Sequence, residues 1–175
     1  MFLENSEIRL RALEPEDLEL LYKWENATEL WIHGNTLSPY SKLALRQYIN
    51  ETQQYDIFHS KQLRMMIVNK NDGITIGTID LYDYDVRSGR AGIGILIDKV
   101  HRNQGYAFKA LELMKNYAFD FLHLHQLYAY ISVNNHSSLK VFENGGYKPV
   151  GTLKEWIKVR EHYEDVLVVQ LINKH

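Results

Sequence analysis

The sequence has no cysteine, only three prolines and no long apolar run. The absence of cysteine excludes a disulfide framework and a thiol nucleophile. No segment approaches the roughly 20 apolar residues that a membrane-spanning helix requires. The first residues also lack the basic region followed by an apolar stretch that marks a secretory signal. We therefore expect a cytoplasmic protein without a membrane partner.

The sequence also lacks an excess of charge of either sign. Its 20 basic and 22 acidic residues give a formal net charge of −2. This balance argues against a nucleic-acid partner, because proteins that bind nucleic acids carry basic patches. The chain has 175 residues, of which 45% are hydrophobic. This length and composition predict one globular domain, residues 1–175, with a core of its own.

Hydrophobic periodicity predicts a mixed α/β domain. Alternating residues at Ile8–Arg11 predict a first strand, and two helices follow, the second one restarting at Ser38 and Pro39. Three strands, a helix, a strand, a helix and a closing antiparallel pair complete the order. The one strand–helix–strand crossover spans 93–133, so we expect its two strands to be parallel or splayed apart.

A turn at residues 102–107 separates an apolar strand, 91–97, from an amphipathic helix. The first N–H groups of a helix have no partner inside it, and the helix dipole adds about half a positive charge there. Gly105 lacks a Cβ atom, so a bulky anion can approach the turn. The arrangement suits a pyrophosphate group. Taken alone, however, Gly105 has a simpler interpretation as a residue that merely makes the turn.

Four separated segments share the spacing of one known enzyme family. They are the turn Arg102-x-x-Gly105-x-Ala107, residues 8–24 (IRLRALEPEDLELLYKW), an Asn-x-x-Ser segment at 135–147, and a closing Tyr-x-Asp strand that begins at Tyr163. They resemble the GNAT family of N-acetyltransferases, in the branch of the spermidine and ribosomal-protein N-terminal acetyltransferases. The resemblance implies a single-domain α/β fold. Its central sheet would be mostly antiparallel, with two parallel strands that splay at the coenzyme A site.

The resemblance also implies a site for acetyl-CoA. Backbone groups of Ile95, Leu96 and Ile97 would bind the pantetheine arm, and one N–H there would polarise the thioester carbonyl. Asn135 would hydrogen-bond the pantetheine or the acetyl end, although it is equally well explained as the cap of a helix running to about Asn144. The pyrophosphate would bind to the backbone of the turn, with added charge from its arginine: Arg102, Asn103, Gln104, Gly105, Tyr106 and Ala107.

Phe142 departs from the family pattern. Many members have at this position a tyrosine that protonates the departing thiolate, and phenylalanine has no such proton. We expect the Phe142 ring to fill apolar space beside the acetyl group, which places it among the coenzyme-binding residues. Tyr147 is nearby in sequence, but the matching family position packs against the core, so we do not assign the acid role to it. A thiol of pKa about 8.5 is a tolerable leaving group without assistance.

Acetylation of an amine also needs a base, because only about 0.1% of an alkyl amine is neutral at pH 7. Asp80 is the first candidate, since it lies on the strand beside 91–97 and aligns with an acid of the spermidine branch. Glu25, after the first helix, is the second candidate. For each of them, a solvated acid without a catalytic role is the alternative. Asp80, Asp83 and Asp85 together would also attract a polycationic amine.

The sequence therefore predicts an acetyl-CoA-dependent N-acetyltransferase in which Asp80, Glu25 and Asn135 have catalytic roles. We expect direct transfer, in a ternary complex, to a primary amine such as a polyamine-like small molecule. Acetylation of a protein N-terminus is one alternative, and a coenzyme A-binding module with little turnover is another. We expect no metal site, because His123 and His125 have no third ligand. The sequence is compatible with a homodimer.

Overall fold

A single sheet of seven strands organises the computed structural model, which describes residues 3–32 and 36–174. The strand order is β1-β2-β3-β4-β5-β7-β6. All neighbours are antiparallel except β4 and β5, which are parallel. The predicted mixed α/β fold is therefore confirmed. The strands are β1 (Ile8–Arg11), β2 (Leu63–Asn69), β3 (Thr75–Asp85), β4 (Arg90–Ile97), β5 (Gln126–Ser132), β6 (Lys148–Val159) and β7 (His162–Ile172).

Helices cover both faces of the sheet. α5 and α6 pack on one face in the larger core, and α1 and α3 pack on the other in a smaller core around Met66. Within the described ranges, no helix is both long enough and apolar enough to cross a bilayer. The helices are α1 (Leu18–Glu25), α2 (Thr28–Trp31), α3 (Lys42–Gln54), α4 (Ile57–Ser60), α5 (Tyr106–Asn116) and α6 (His136–Asn144).

Local caps explain where the helices begin. α6 begins after Asn135 and ends before Gly145, as predicted. The predicted restart of a helix at Ser38 and Pro39 is wrong. α3 begins three residues later, because the Ser41 hydroxyl accepts the Ala44 N–H at 3.0 Å and so satisfies one of the helix's unpaired donors. The short helices α2 and α4 have no counterpart in the sequence prediction.

Asp98, the residue after β4, anchors α1 to the sheet. Its carboxylate accepts hydrogen bonds from Lys23 Nζ at 2.6 Å and from Trp24 Nε1 at 2.8 Å. Asp98 is itself buried, and these two bonds offset the cost of removing its charge from water. The contact fixes the end of α1, and with it Glu25, over the sheet.

Candidate active site

β4 and β5 separate and leave a fork in the middle of the sheet. Their parallel pairing is limited to residues 90–92, which pair with 126–128. Beyond these positions β4 continues to Ile97 beside β3, and β5 continues to Ser132 beside β7. The two strands are thus both parallel and splayed, as predicted. Backbone groups that face the fork have no strand partner among the described residues, so they are available to a ligand.

Only alternate residues of β4 direct their backbone groups into the fork. A Cβ atom on Gly77 would overlap the Leu96 carbonyl oxygen, so that carbonyl faces β3. The Asp98 N–H also donates to β3, at 2.8 Å. Because the N–H and C=O groups of one residue point to the same side of an antiparallel pair, Ile95 and Ile97 direct theirs into the fork. Of the three predicted backbone contacts, the geometry favours these two over Leu96.

The wide end of the fork meets the start of α5. Gly105 precedes this helix with a φ of 79°, and a Cβ atom there would meet only the flexible end of Lys109, at 4.0 Å. The space in front of the turn is therefore open. Arg102 Nε donates to the Ile97 carbonyl at 3.0 Å, which ties the turn to the end of β4. The structure brings the strand and the turn together, and their coenzyme role stays a prediction.

Asn135 caps α6 beside the other arm of the fork. Its Oδ1 accepts the Ser138 N–H at 3.3 Å and the Ser137 hydroxyl at 3.2 Å. The helix-cap interpretation is therefore confirmed. Because the cap uses Oδ1, Nδ2 is the atom with which Asn135 would reach a ligand. That second role stays a prediction.

Phe142 and Tyr147 pack against each other inside the larger core. They are 2% and 1% exposed, and their rings meet edge to face with centroids 4.9 Å apart. The core position predicted for Tyr147 is thus confirmed. Burial raises the pKa of the Tyr147 hydroxyl, which makes it a weaker acid. These observations support the view that Tyr147 does not replace the acid missing at Phe142.

The buried Tyr147 hydroxyl has no hydrogen-bond partner among the described residues. A buried polar group without a partner costs about 1–3 kcal/mol of stability. We expect Tyr147→Phe to raise the free energy of unfolding by about 1 kcal/mol. Urea denaturation measures this change, and Tyr163→Phe, at an exposed tyrosine of β7, is the control without effect. A loss of stability in Tyr147→Phe would show that the hydroxyl has a partner, such as a buried water.

Asp80 and Glu25 converge on one arginine. Arg64 Nε and Nη2 donate to the two carboxylate oxygens of Asp80 at 2.7 and 3.2 Å, and Nη1 donates to Glu25 Oε1 at 2.5 Å. Arg64 in β2 is the register partner of Asp80 in β3, which in turn lies opposite Gly94 of β4. We call Glu25, Arg64 and Asp80 the acid–arginine cluster. It lies one strand away from the fork.

The acid–arginine cluster is partly enclosed and carries a net negative charge. Its side chains are 22% to 25% exposed, and the Tyr48 ring centroid lies 5.5 Å from the Arg64 guanidinium carbon. Burial lowers the pKa of Arg64, but the nearby charges of Asp80 and Glu25 outweigh this and raise it well above its ordinary value. Arg64 is therefore charged. Two carboxylates and one guanidinium together leave a charge that suits a cationic ligand.

The other two acids of β3 lie outside the acid–arginine cluster. Asp85 pairs with Arg90 at 3.3 Å and accepts the Ser88 N–H at 3.0 Å. Asp83 is exposed and adopts a φ of 49° where the pairing of β3 with β4 shifts. Because Asp80 and Asp85 each have an arginine partner, β3 attracts a polycation less strongly than its count of acids suggests. The attraction itself stays a prediction.

Arg64 is the site residue that the sequence prediction missed. It is the one charged residue of β2, which is otherwise apolar up to Asn69, and this charge is the available signal. Its pairing with Asp80, however, depends on the register of two strands, and a register cannot be read from one segment alone. Among residues 3–32 and 36–174, no three His, Asp or Glu side chains are grouped as metal ligands would be.

Sequence comparison relates the chain to known acetyltransferases. The profile of the acetyltransferase (GNAT) domain matches residues 7–148. Spermidine N(1)-acetyltransferase of Vibrio cholerae is 26% identical over 163 residues, which are 93% of this chain and 91% of that protein. The probable N-acetyltransferase YjcK of Bacillus subtilis is 29% identical over 130 residues, which are 73% of this chain and 71% of that protein.

Solved structures share the fold. The crystal structure of spermidine N-acetyltransferase from Vibrio cholerae in complex with CoA and spermine has a TM-score of 0.84 at 25% identity, and the match covers 96% of both chains. A crystal structure of a probable acetyltransferase has a TM-score of 0.81 at 25% identity, covering 96% of this chain and 94% of that one. The similarity therefore extends over the sheet, the fork and the helices on both faces.

Proposed function

This chain belongs to the acetyltransferase (GNAT) domain family, and from that premise we propose that it transfers an acetyl group from acetyl-CoA directly to a primary amine. The fork between β4 and β5 is the observation that carries this proposal. Ile95 and Ile97 direct backbone groups into the fork, and the start of α5 lies at its wide end. Five residues of β4, 93–97, extend about 17 Å, a length that suits an extended pantetheine arm.

The residues around the fork fit acetyl-CoA. An arm that contains amide groups needs backbone partners arranged as in a strand. Ile95 offers its N–H and C=O groups, and Ile97 offers its N–H, since its carbonyl accepts from Arg102. A pyrophosphate needs an open helix start, which Gly105 provides. Arg102 holds the Ile97 carbonyl through Nε, so its remaining N–H groups are available to a phosphate. When bound, acetyl-CoA supplies an activated acetyl thioester.

We propose that Asp80 takes the proton from the attacking amine. Two hydrogen bonds from Arg64 hold the Asp80 carboxylate in one orientation beside β4. A carboxylate held in this way accepts a proton directly or through one water molecule. Glu25 shares the same guanidinium and is the second candidate for the base. Its charge would also attract a second ammonium group of the acceptor.

The transfer that we propose is direct, because the chain has no cysteine to form a thioester with the enzyme. The amine nitrogen attacks the thioester carbonyl, the new N–C bond forms, and the C–S bond breaks with release of coenzyme A as its thiolate. The amine proton passes to Asp80. The backbone N–H of Ile95 and the Nδ2 group of Asn135 are the donors that we propose for polarising the carbonyl.

We favour a small polyamine-like molecule as the acceptor. The net negative charge of the acid–arginine cluster supports a cationic acceptor, and the Vibrio cholerae relative is named for spermidine. A panel of amines tests the proposal, with release of the coenzyme thiol from acetyl-CoA as the readout. The panel contains polyamines, monoamines and peptides with a free N-terminus, and each has its N-acetylated form as the matched control.

We expect release that depends on a free amine and is fastest with a polyamine. Faster release with the peptides would favour acetylation of a protein N-terminus. Release that no free amine accelerates, in a protein that binds coenzyme A, would contradict the proposed transfer.

We expect Phe142→Tyr to be tolerated. The Phe142 ring lies in apolar surroundings, and the substitution adds one hydroxyl at the position where relatives have an acid. A restored proton donor would raise turnover by up to about tenfold, less than usual for acid catalysis because the thiolate already leaves well. Steady-state kinetics with Phe142→Leu as the packing control measure the effect. A hundredfold loss in a stable Phe142→Tyr protein would show that the site requires the phenyl ring.

A further inference from the structure

The Tyr82 ring lies across the narrow end of the fork. Tyr82 in β3 is the register partner of Gly92 in β4, and Gly92 is the last residue of β4 that pairs with β5. A Cβ atom on Gly92 would overlap the Tyr82 ring, and one on Gly94 would lie 3.9 Å from Cε1. The ring therefore rests directly on the backbone of β4. Gly92 therefore provides the space that the ring occupies, and Gly94 lies at ordinary contact distance from it.

The far side of the Tyr82 ring reaches β5. It meets the Tyr128 ring edge to face with centroids 6.1 Å apart, and Tyr128 meets Tyr130 in the same way at 5.6 Å. The backbone N–H of Tyr130 faces the Tyr82 hydroxyl, two residues beyond the last parallel pair of β4 and β5. Tyr82 thus spans the gap from one strand to the other.

Contacts on three sides hold the Tyr82 ring in place. Gly92 supports it from below, Tyr128 contacts it from the side, and the Tyr130 N–H faces the hydroxyl. Burial raises the pKa of this hydroxyl, so it stays neutral at physiological pH. To move the ring out of the fork, the protein would have to give up these contacts together. The ring is therefore a rigid wall rather than a mobile lid.

We infer that Tyr82 closes the acyl pocket and restricts the enzyme to an acetyl group. The inference rests on the proposed function, in which the coenzyme enters from α5 and its thioester lies toward Gly92. An acyl chain longer than two carbons extends from that end into the space that the ring fills. Tyr82 is thus a specificity-determining residue. Tyr82 selects among acyl groups by chain length and does not select the acceptor amine.

Binding and turnover of three ligands, CoA, acetyl-CoA and butyryl-CoA, test the inference. Calorimetry without an amine measures binding, and thiol release with the best amine measures turnover. We expect the wild-type protein to bind butyryl-CoA at least about tenfold more weakly than acetyl-CoA, since each methylene that does not fit is worth about tenfold or more. Tyr82→Ala should remove this difference and leave the affinity for CoA itself within about twofold. Tyr82→Phe keeps the ring and should keep the preference.

The outcomes distinguish this inference from the proposed function. Equal affinity of the wild-type protein for acetyl-CoA and butyryl-CoA, or an unchanged preference in Tyr82→Ala, would overturn the role of Tyr82 and leave the proposed transfer standing. Failure to bind any of the three ligands would overturn both. If Tyr82→Ala does not fold, Tyr82→Leu, with a side chain of intermediate length, should show a reduced preference. An unchanged preference there would equally overturn the inference.

Discussion

Asp80→Asn is expected to lower turnover about 100-fold near neutral pH, the usual contribution of a general base. Asparagine keeps the size of the side chain and one oxygen for Arg64, but it cannot take the amine proton. The loss should shrink as the pH rises, because an alkyl amine with a pKa of about 10.4 becomes neutral by itself. Turnover measured across this range of pH with the preferred amine gives both quantities.

Asp85→Asn is the matched control for this experiment. Asp85 also lies in β3 and pairs with an arginine, Arg90, but it is not part of the acid–arginine cluster. We expect its substitution to leave turnover at saturating amine, and the pH dependence of that turnover, unchanged. If Asp80→Asn and the wild-type protein show the same pH–rate profile, Asp80 is not the base. Glu25→Gln then tests the second candidate in the same assay.

Gly105→Val is expected to weaken coenzyme A binding by about tenfold or more, which corresponds to about 1.4 kcal/mol. Two effects combine in this substitution. A branched side chain is strained at the φ of 79° that precedes α5. Its methyl groups also occupy the open space that the pyrophosphate needs. Isothermal calorimetry with coenzyme A measures the change in affinity.

Gly73→Val separates strain from obstruction. Gly73 has a similar φ of 74°, and a Cβ atom there would meet nothing within 4 Å. It lies in the turn between β2 and β3, which contacts α5 through the Asn69 side chain and the Tyr106 hydroxyl at 3.4 Å and not through Gly73 itself. We expect both variants to lose stability and only Gly105→Val to lose affinity. An unchanged affinity in a folded Gly105→Val protein would remove the pyrophosphate from this turn.

Local signals explain how much of the fold was predictable. The Asn135 cap and the glycine after Asn144 act within a few residues of the helix that they bound, and α6 has the predicted limits. The sequence places the start of α3 at Ser38 and not at Ser41, because both serines suit a helix cap and only the structure shows that Ser41 makes the bond. The sequence identifies Gly105 as the residue before a helix, because the turn itself requires its positive φ and no distant contact is involved.

Contacts between strands explain why the other features of the site could not be predicted from the sequence. Asp80 and Glu25 were identified as acids, but their shared partner Arg64 is set by the register of β2 with β3 and by the position of α1. The side of β4 to which Leu96 directs its carbonyl is likewise set by the pairing with β3. Nothing in the sequence around Tyr82 separates it from the other tyrosines of the sheet. Its position across the fork becomes visible only when three strands are placed together.

The acid–arginine cluster also changes how a base must work in this site. A carboxylate that a guanidinium holds at 2.7 Å is fixed in place. The partial exposure of the cluster gives water access to Asp80, so we expect the amine proton to pass through the site by way of a water molecule.

Residue-resolved amide hydrogen exchange, measured by NMR with and without coenzyme A, tests most directly whether the fork binds the pantetheine arm. Calorimetry on the same sample establishes that the ligand is bound. We predict that coenzyme A slows exchange at the N–H groups of Ile95 and Ile97, which face the fork. Gly94 and Leu96 face β3 and should change little. Unchanged exchange at Ile95 and Ile97 in the saturated protein would contradict binding in the fork.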